Sequence, residues 1–314
     1  MIKAILGITA LFVLNCGLVS IANAKPLKLA LNWKAEPQFG GFYEAQRKDL
    51  FKTAGLDVEI QQGGSGTPTL QMLLSGQAEY GIVSADEVVI AASRGNNDLV
   101  AIFAVYQKNP QGIMVRESHP AKDLASLLKG GGTLLWQEGL PYAQFLKKKY
   151  GPLKIKSAPY LGGLSNIIAD ASIAQQCFVT SEPLIAEKQK LKVKSFLIAE
   201  SDYNPYTTVL VVKKERLKSN ADEVKKIVKA VRDAWTSYLA DPKATHEVLH
   251  KLNPSMDLES FAKSALAQKP LIEVPQGQLL GSMALERWLT LVTQLKDLGV
   301  ISKSVEAQSL FENL

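Results

Sequence analysis

Short apolar runs bounded by turn residues alternate along this chain with stretches whose apolar positions recur every three to four residues. That is the pattern of strands alternating with helices. Residues 28–31 read as a first strand, and 41–52 as a helix with Phe42, Ala45, Leu50 and Phe51 turned inward. Gly55 suits the left-handed residue that closes a helix. Residues 56–61 alternate apolar and polar as a half-buried strand, and Gly63-Gly64-Ser65-Gly66 turns the chain into a helix over 68–75. Strand 78–84, helix 86–94 and strand 99–106 follow. The order βαβαβαβ predicts a parallel sheet with helices on both faces.

A second unit repeats the style. Its expected strands are 111–115, 133–136, 154–160, 177–179, 195–198 and 208–212, with helices over 121–129 and 142–150. The C-terminal portion reads as helices over 221–239, 243–252, 258–267 and 283–298. No low-complexity linker divides the chain. The expected fold class is therefore α/β, with two lobes that exchange strands and cross near 111–114 and again near 206–209. The first lobe is expected to hold 25–112 and 208–314, and the second 113–207.

The first residues bear on compartment. Met1-Ile2-Lys3 gives a positive start, 4–21 is an almost uncharged apolar run, and Ala22-Asn23-Ala24 precedes Lys25. This fits a secretory signal peptide over 1–24 with cleavage after Ala24, and hence a periplasmic protein. A retained membrane anchor and lipidation at Cys16 are the competing readings. Asn15, Gly17 and Ser20 weaken the anchor, and Asn15 stands where a lipidation motif wants a small residue.

Of the two cysteines, Cys16 lies in this leader, so Cys177 has no partner for an intrachain disulfide. The formal charge of +6 includes Lys3, the one charged residue of the leader. The remaining excess is too small and too dispersed for the basic face a nucleic-acid binder needs. Lys147-Lys148-Lys149 and the lysines at 188, 190, 192 and 194 read as solvated helix ends and an edge strand.

Catalytic groups are scarce where an α/β sheet places them. The three histidines are His119, His246 and His250. His246 and His250 stand i, i+4 on one helix, a spacing that binds metal only if a third ligand converges, and they read as a solvated helix face. There is no Gly-x-Ser-x-Gly elbow and no phosphate-loop ending after Gly66. Cys177 sits in an apolar run and reads as a buried structural thiol.

Polar uncharged and aromatic residues gather at the expected strand ends instead. Asn32-Trp33 follows the first strand, Ser84-Ala85-Asp86 the third, and Gln107-Lys108-Asn109-Pro110-Gln111 the fourth. Gln137 and Tyr142 follow 133–136, Thr180-Ser181-Glu182 follows 177–179, and Tyr203-Asn204-Pro205-Tyr206-Thr207 precedes the return strand. Ligands of open α/β sheets bind outside the carboxyl ends of the strands. Amides with aromatic plates, and no nucleophile or base, suit binding without turnover.

Several blocks resemble the exported substrate-binding proteins of the thiamine-pyrimidine-precursor family, relatives of the alkanesulfonate- and nitrate-binding proteins of ABC importers. They are Leu31-Asn32-Trp33, Gly55-Leu56-Asp57-Val58, Ala78-Glu79-Tyr80-Gly81-Ile82, 107–114, 179–183 and 203–207. The resemblance implies a two-lobed periplasmic-binding-protein fold of the type with two crossover strands. It implies a monomer that closes on a small-molecule ligand and delivers it to a permease and ATPase of the inner membrane. It implies that Trp33 is the plate for a flat ring and that Glu182 pairs with a ring nitrogen and its exocyclic amine. Asn32, Ser84, Gln111, Gln137 and Tyr206 complete the expected wall. No cofactor, metal or nucleic-acid partner is expected.

One branch of that family consists of fungal pyrimidine synthases, which use a histidine shortly after the Asn-Trp or Asp-Trp pair and a cysteine cluster. Here Gln38 occupies that position, and one cysteine remains after the leader. Alkanesulfonate, nitrate or flavin ligands, a synthase-like enzyme and a sensory domain are the alternatives to a pyrimidine-binding transporter component.

Overall fold

The computed structural model describes residues 25–64 and 66–314. The expected leader over 1–24, with Cys16, lies outside the described residues, as does Ser65. Among the described residues, the strands form two five-stranded sheets.

The first sheet holds β1 (Leu27–Ala30), β2 (Val58–Gln61), β3 (Tyr80–Val83) and β4 (Leu99–Tyr106). The second holds β5 (Gln111–Arg116), β6 (Thr133–Trp136), β7 (Lys156–Pro159), β8 (Ile173–Phe178) and β9 (Val193–Leu197). The last strand, β10 (Thr207–Lys213), returns to the first sheet. The orders are β2-β1-β3-β10-β4 and β7-β6-β8-β5-β9.

In each sheet one strand runs against the rest. β10 is antiparallel to both β3 and β4, and β5 is antiparallel to both β8 and β9. Each intruder is the strand that arrives from the other sheet. The chain passes over between Tyr106 and Gln111 and comes back between Leu197 and Thr207. The carboxyl ends of the parallel strands in both sheets therefore face the two crossing segments, and so face each other.

Residues of β3 and β4 are buried throughout, as strands covered on both faces must be. The exposed edge of β4 is screened by the C-terminal segment: the Glu312 N–H donates to the Ala101 carbonyl at 2.8 Å. Edge strands left bare invite pairing with other chains.

The helix Gly40–Arg47 packs against Ala221–Ala240 with Phe42 edge-on to Trp235 at 6.1 Å. A Cβ on Gly41 would stand 2.3 Å from the Trp235 ring, so only glycine permits this approach. Glu44, on the same helix, is fully buried. Burial penalises its charge, but hydrogen bonds from Thr245, Ser237, Arg47 and Lys48 outweigh that and hold its carboxyl below the ordinary value.

The structure departs from the periodicity at several points. The helix expected over 41–52 ends at Arg47 and restarts as Leu50–Thr53, because Asp49 takes a left-handed conformation (φ 53°). The strand expected at 177–179 is β8, which begins four residues earlier, at Ile173. Gln175 hides that half: it is buried, and its amide donates to the Gly163 carbonyl at 3.2 Å. Helices Ser165–Ala169 and Lys214–Ser219 have no counterpart in the expected pattern, whereas Glu182–Lys188 begins where Glu182 ahead of Pro183 suits a helix start.

His246 and His250 do not form a solvated face. His246 is buried, with Nε2 3.0 Å from the Tyr238 hydroxyl, and burial lowers its pKa to about 4. His250 Nδ1 lies 2.7 Å from the Met256 carbonyl oxygen. Both rings serve the packing of the C-terminal helices around Phe261. Cys177 is a free, buried thiol.

Candidate functional site

A cavity of about 490 Å³ opens where the carboxyl ends of the two sheets meet. The first sheet lines it with Asn32 and Trp33 after β1, Gly64, Gly66 and Thr67 after β2, Ser84 and Asp86 after β3, and Thr207 at the start of β10. The second contributes Gln111 at the start of β5, Gln137 and Tyr142 after β6, and Phe178 at the end of β8. Asn109 and Tyr203 come from the crossing segments.

Trp33 is 38% exposed, whereas the other three tryptophans are buried. An indole open to a cavity presents a flat apolar face on which a ring can stack. Its pose is fixed from behind. The Gly63 N–H donates to the Trp33 carbonyl at 3.0 Å, and Nε1 donates to Glu36 at 3.1 Å. A Cβ on Gly63 would come within 2.2 Å of the Leu31 carbonyl oxygen, so glycine is required for the β2 loop to lie against the exit of β1.

The second-sheet wall is a braced set of amides. Gln176 accepts from the Gln137 N–H at 2.7 Å and the Tyr142 hydroxyl at 2.8 Å, and donates back to the Gln137 side chain at 3.1 Å. Gln111 Nε2 donates to the Cys177 carbonyl at 3.3 Å. Fixed amides of this kind select ligand orientation, because a polar group left unpaired in a closed cleft costs about 1–3 kcal/mol.

The two crossing segments are fastened to each other. Asn109 donates through its backbone N–H to Asn204 Oδ1 at 2.9 Å and through Nδ2 to the Pro205 carbonyl at 3.0 Å. Arg287 spans the same pair, donating to the Gln107 carbonyl at 2.7 Å and to that of Asn204 at 2.6 Å.

Five of the seven expected site residues, Asn32, Trp33, Ser84, Gln111 and Gln137, line the cavity. Tyr206 and Glu182 stand outside its lining. Tyr206 is buried under the Arg287 guanidinium, 3.6 Å from its ring, and its hydroxyl accepts the Ala284 N–H at 2.9 Å. Glu182 opens the helix Glu182–Lys188, with Oε2 accepting the Phe178 N–H at 2.8 Å and Oε1 the Tyr160 hydroxyl at 3.3 Å. Burial raises its pKa against those hydrogen bonds.

Across the cleft, Glu36 is raised to about 7, chiefly by burial and further by the charge of Glu182; the bond from Trp33 and the charge of Lys34 work against the rise. Asp86, Tyr142, Phe178 and Tyr203 line the cavity without having been named as site residues. Their positions at or near strand ends were the available signal.

Comparison with known proteins agrees with this architecture. Residues 36–245 match the family model described as NMT1/THI5 like. YtlA of Bacillus subtilis is 27% identical over 207 residues, 62% of this chain and 61% of that protein. The chain thus spans about three fifths of that relative's length. A Saccharomyces cerevisiae protein named 4-amino-5-hydroxymethyl-2-methylpyrimidine phosphate synthase THI12 is 24% identical over 74% of each chain. Among solved structures, the periplasmic aliphatic sulphonate binding protein SsuA of Escherichia coli superposes with a TM-score of 0.69 over 93% of both chains at 13% identity. At that identity the likeness is one of fold, and the fold is that of the two-lobed periplasmic binding proteins. By the match over 36–245, the chain belongs to the NMT1/THI5-like family.

Proposed function

We propose that this protein is the exported solute-binding component of an ABC importer. It captures a small planar nitrogen heterocycle, pyrimidine-like in size, between its lobes, and delivers it as a monomer to a permease and ATPase of the inner membrane. The observation that carries the reading is the exposed Trp33 on a cavity of about 490 Å³ whose other walls bring amides, hydroxyls and aromatic rings together with the carboxylates of Asp86 and Glu87. That volume is within the range of small-molecule sites. Stacking on the indole adds about 0.5–1.5 kcal/mol beyond area burial.

Binding without turnover is the favoured chemistry. The cavity lining offers no serine–histidine or cysteine–histidine pair among the described residues, and Cys177 is buried with its thiol pushed up by burial. Gln38, at the position of the synthase histidine, lies in the turn Pro37–Phe39 and outside the cavity lining. Lobe closure is assigned to the two crossing segments, with Asn109 and Arg287 as their fasteners. Asn32, Trp33, Ser84, Gln111 and Gln137 are the ligand-facing residues, whereas Glu182 and Tyr206 shape the walls behind.

Calorimetry and thermal-shift screening against pyrimidines, flavins, alkanesulfonates and nitrate test the reading. A pyrimidine or another flat ring is expected to raise the melting temperature, and Trp33→Ala to weaken its binding at least severalfold. Silence across all four classes would sink the transport reading, and tight binding of an alkanesulfonate alone would replace the ring with an anion. Mass spectrometry of the incubated ligand, expected unchanged, separates binding from synthesis.

A further inference from the structure

The cavity has a charge character that the ring reading does not use. No lysine, arginine or histidine is among its lining residues, whereas Asp86 and Glu87 are. Both stand in the first turn of the helix Ala85–Ser93, whose N-terminus faces the cavity. Such a terminus attracts anions through its free N–H groups. Here the protein's own carboxylates hold that place. Glu87 Oε2 accepts the Ser84 N–H and the Ser84 hydroxyl, both at 2.8 Å, and Asp86 Oδ1 accepts the Glu87 N–H at 3.1 Å. An entering sulfonate or nitrate would meet two carboxylates instead of free donors.

The two carboxylates are not equivalent. Glu87 is engaged in capping the helix. Asp86 has no ion-pair partner among the described residues, although burial disfavours its charge and raises its pKa. Beside it, Tyr203 also lines the cavity; it is 2% exposed, and its hydroxyl has no hydrogen-bond partner. Burial and the Asp86 charge together hold that phenol in its protonated form. A buried hydroxyl left without a partner on a cavity wall is a place for a ligand atom.

Resting on the binding reading above, we propose that the ligand carries a protonated nitrogen, an ammonium or amidinium group on its flat ring, received by the Asp86 carboxylate and the Tyr203 hydroxyl. The cation supplies the countercharge that Asp86 lacks and donates to the phenol oxygen that otherwise goes unpaired. A charge-assisted hydrogen bond is roughly twice as strong as a neutral one. The group therefore contributes selectivity as well as affinity, while Trp33 holds the ring.

The test uses matched pairs that differ in one charge: the 5-aminomethyl and 5-hydroxymethyl forms of one pyrimidine, tryptamine with indole-3-ethanol, and butanesulfonate as the anion. Calorimetry with the wild-type protein is expected to favour the ammonium member of at least one pair by tenfold or more. In Asp86→Asn that ratio collapses toward one. Tyr203→Phe, which keeps the ring packed 5.0 Å from Phe145, reduces it severalfold. Preference for the hydroxyl members, or a ratio that survives in Asp86→Asn, overturns the charge assignment and leaves the ring reading standing. Binding of butanesulfonate alone, or of nothing in the panel, overturns both.

Discussion

Glu36 gives a quantitative handle on the cleft. Its carboxyl is raised from the ordinary 4.5 to about 7, first by burial and then by Glu182, so the folded chain holds a proton that the unfolded chain has released. A raised carboxyl stabilises the fold least where it must be charged. Its contribution is greatest below about pH 4.5 and falls as pH rises through about 7. At 1.36 kcal/mol per pKa unit the full swing is about 3 kcal/mol.

The perturbation is Glu36→Gln, which keeps an acceptor for Trp33 Nε1 and cannot ionise. Urea unfolding of both proteins at intervals from pH 4.5 to 8 gives the stability difference at each pH. The wild-type advantage over Glu36→Gln is expected to shrink by about 3 kcal/mol across that span. The difference matters more than either curve alone. His246, lowered to about 4, adds an opposite slope below about pH 6.5, where the unfolded chain takes up a proton that the folded ring does not, and that slope is common to both proteins. The raised carboxyls of Asp86 and Glu87 are likewise common to both, whereas Glu182 is coupled to Glu36 by charge and that coupling is part of the difference. A difference that stays flat within 1 kcal/mol would refute the burial argument for Glu36.

Three further outcomes are accessible. Gly41→Ala forces a methyl into the Trp235 ring 2.3 Å away and is expected to cost about 1–3 kcal/mol in urea unfolding, whereas Gly64→Ala, with nothing near its added methyl, should cost far less. Arg287→Met removes both donors that bridge Gln107 and Asn204 and is expected to lower the stability of the fastened crossing by about 1.5–3 kcal/mol in the same assay; an unchanged midpoint would remove Arg287 from that role. Cys177, buried with its thiol pushed up by burial, should react with a thiol reagent only as the protein unfolds, and a fast reaction in native buffer would contradict that burial.

The elements most legible in the sequence are those whose burial leaves a simple trace. β4 and β6 lie at 99–106 and 133–136, and the helix Lys243–Leu252 at 243–252, where the apolar pattern puts them. β8 was legible only in its second half, because Gln175 is buried through a hydrogen bond, which hydropathy alone does not register. The candidate site shows the same divide. Strand-end positions located Trp33, Gln111 and Gln137, since topology alone decides which ends face the cavity. The direction of a side chain in a loop is set by its partners, so Tyr206 went to Arg287 and Ala284, and Glu182 to the Phe178 N–H. His246 shows that an i, i+4 polar pair on a helix can face inward when a tyrosine waits for it.

The strand exchange has a consequence for how the molecule comes into being. β4 is an eight-residue, fully buried strand whose one neighbour in the sheet is β10, more than ninety residues further along the chain. Until β10 arrives, no strand pairs β4 with β3, and the first sheet is left in two pieces. The second sheet is drawn entirely from residues 111–197, so it is the first sheet that waits for the chain to return. Assembly therefore awaits contacts that are distant in sequence, which slows folding and lengthens the time that apolar strands stay open.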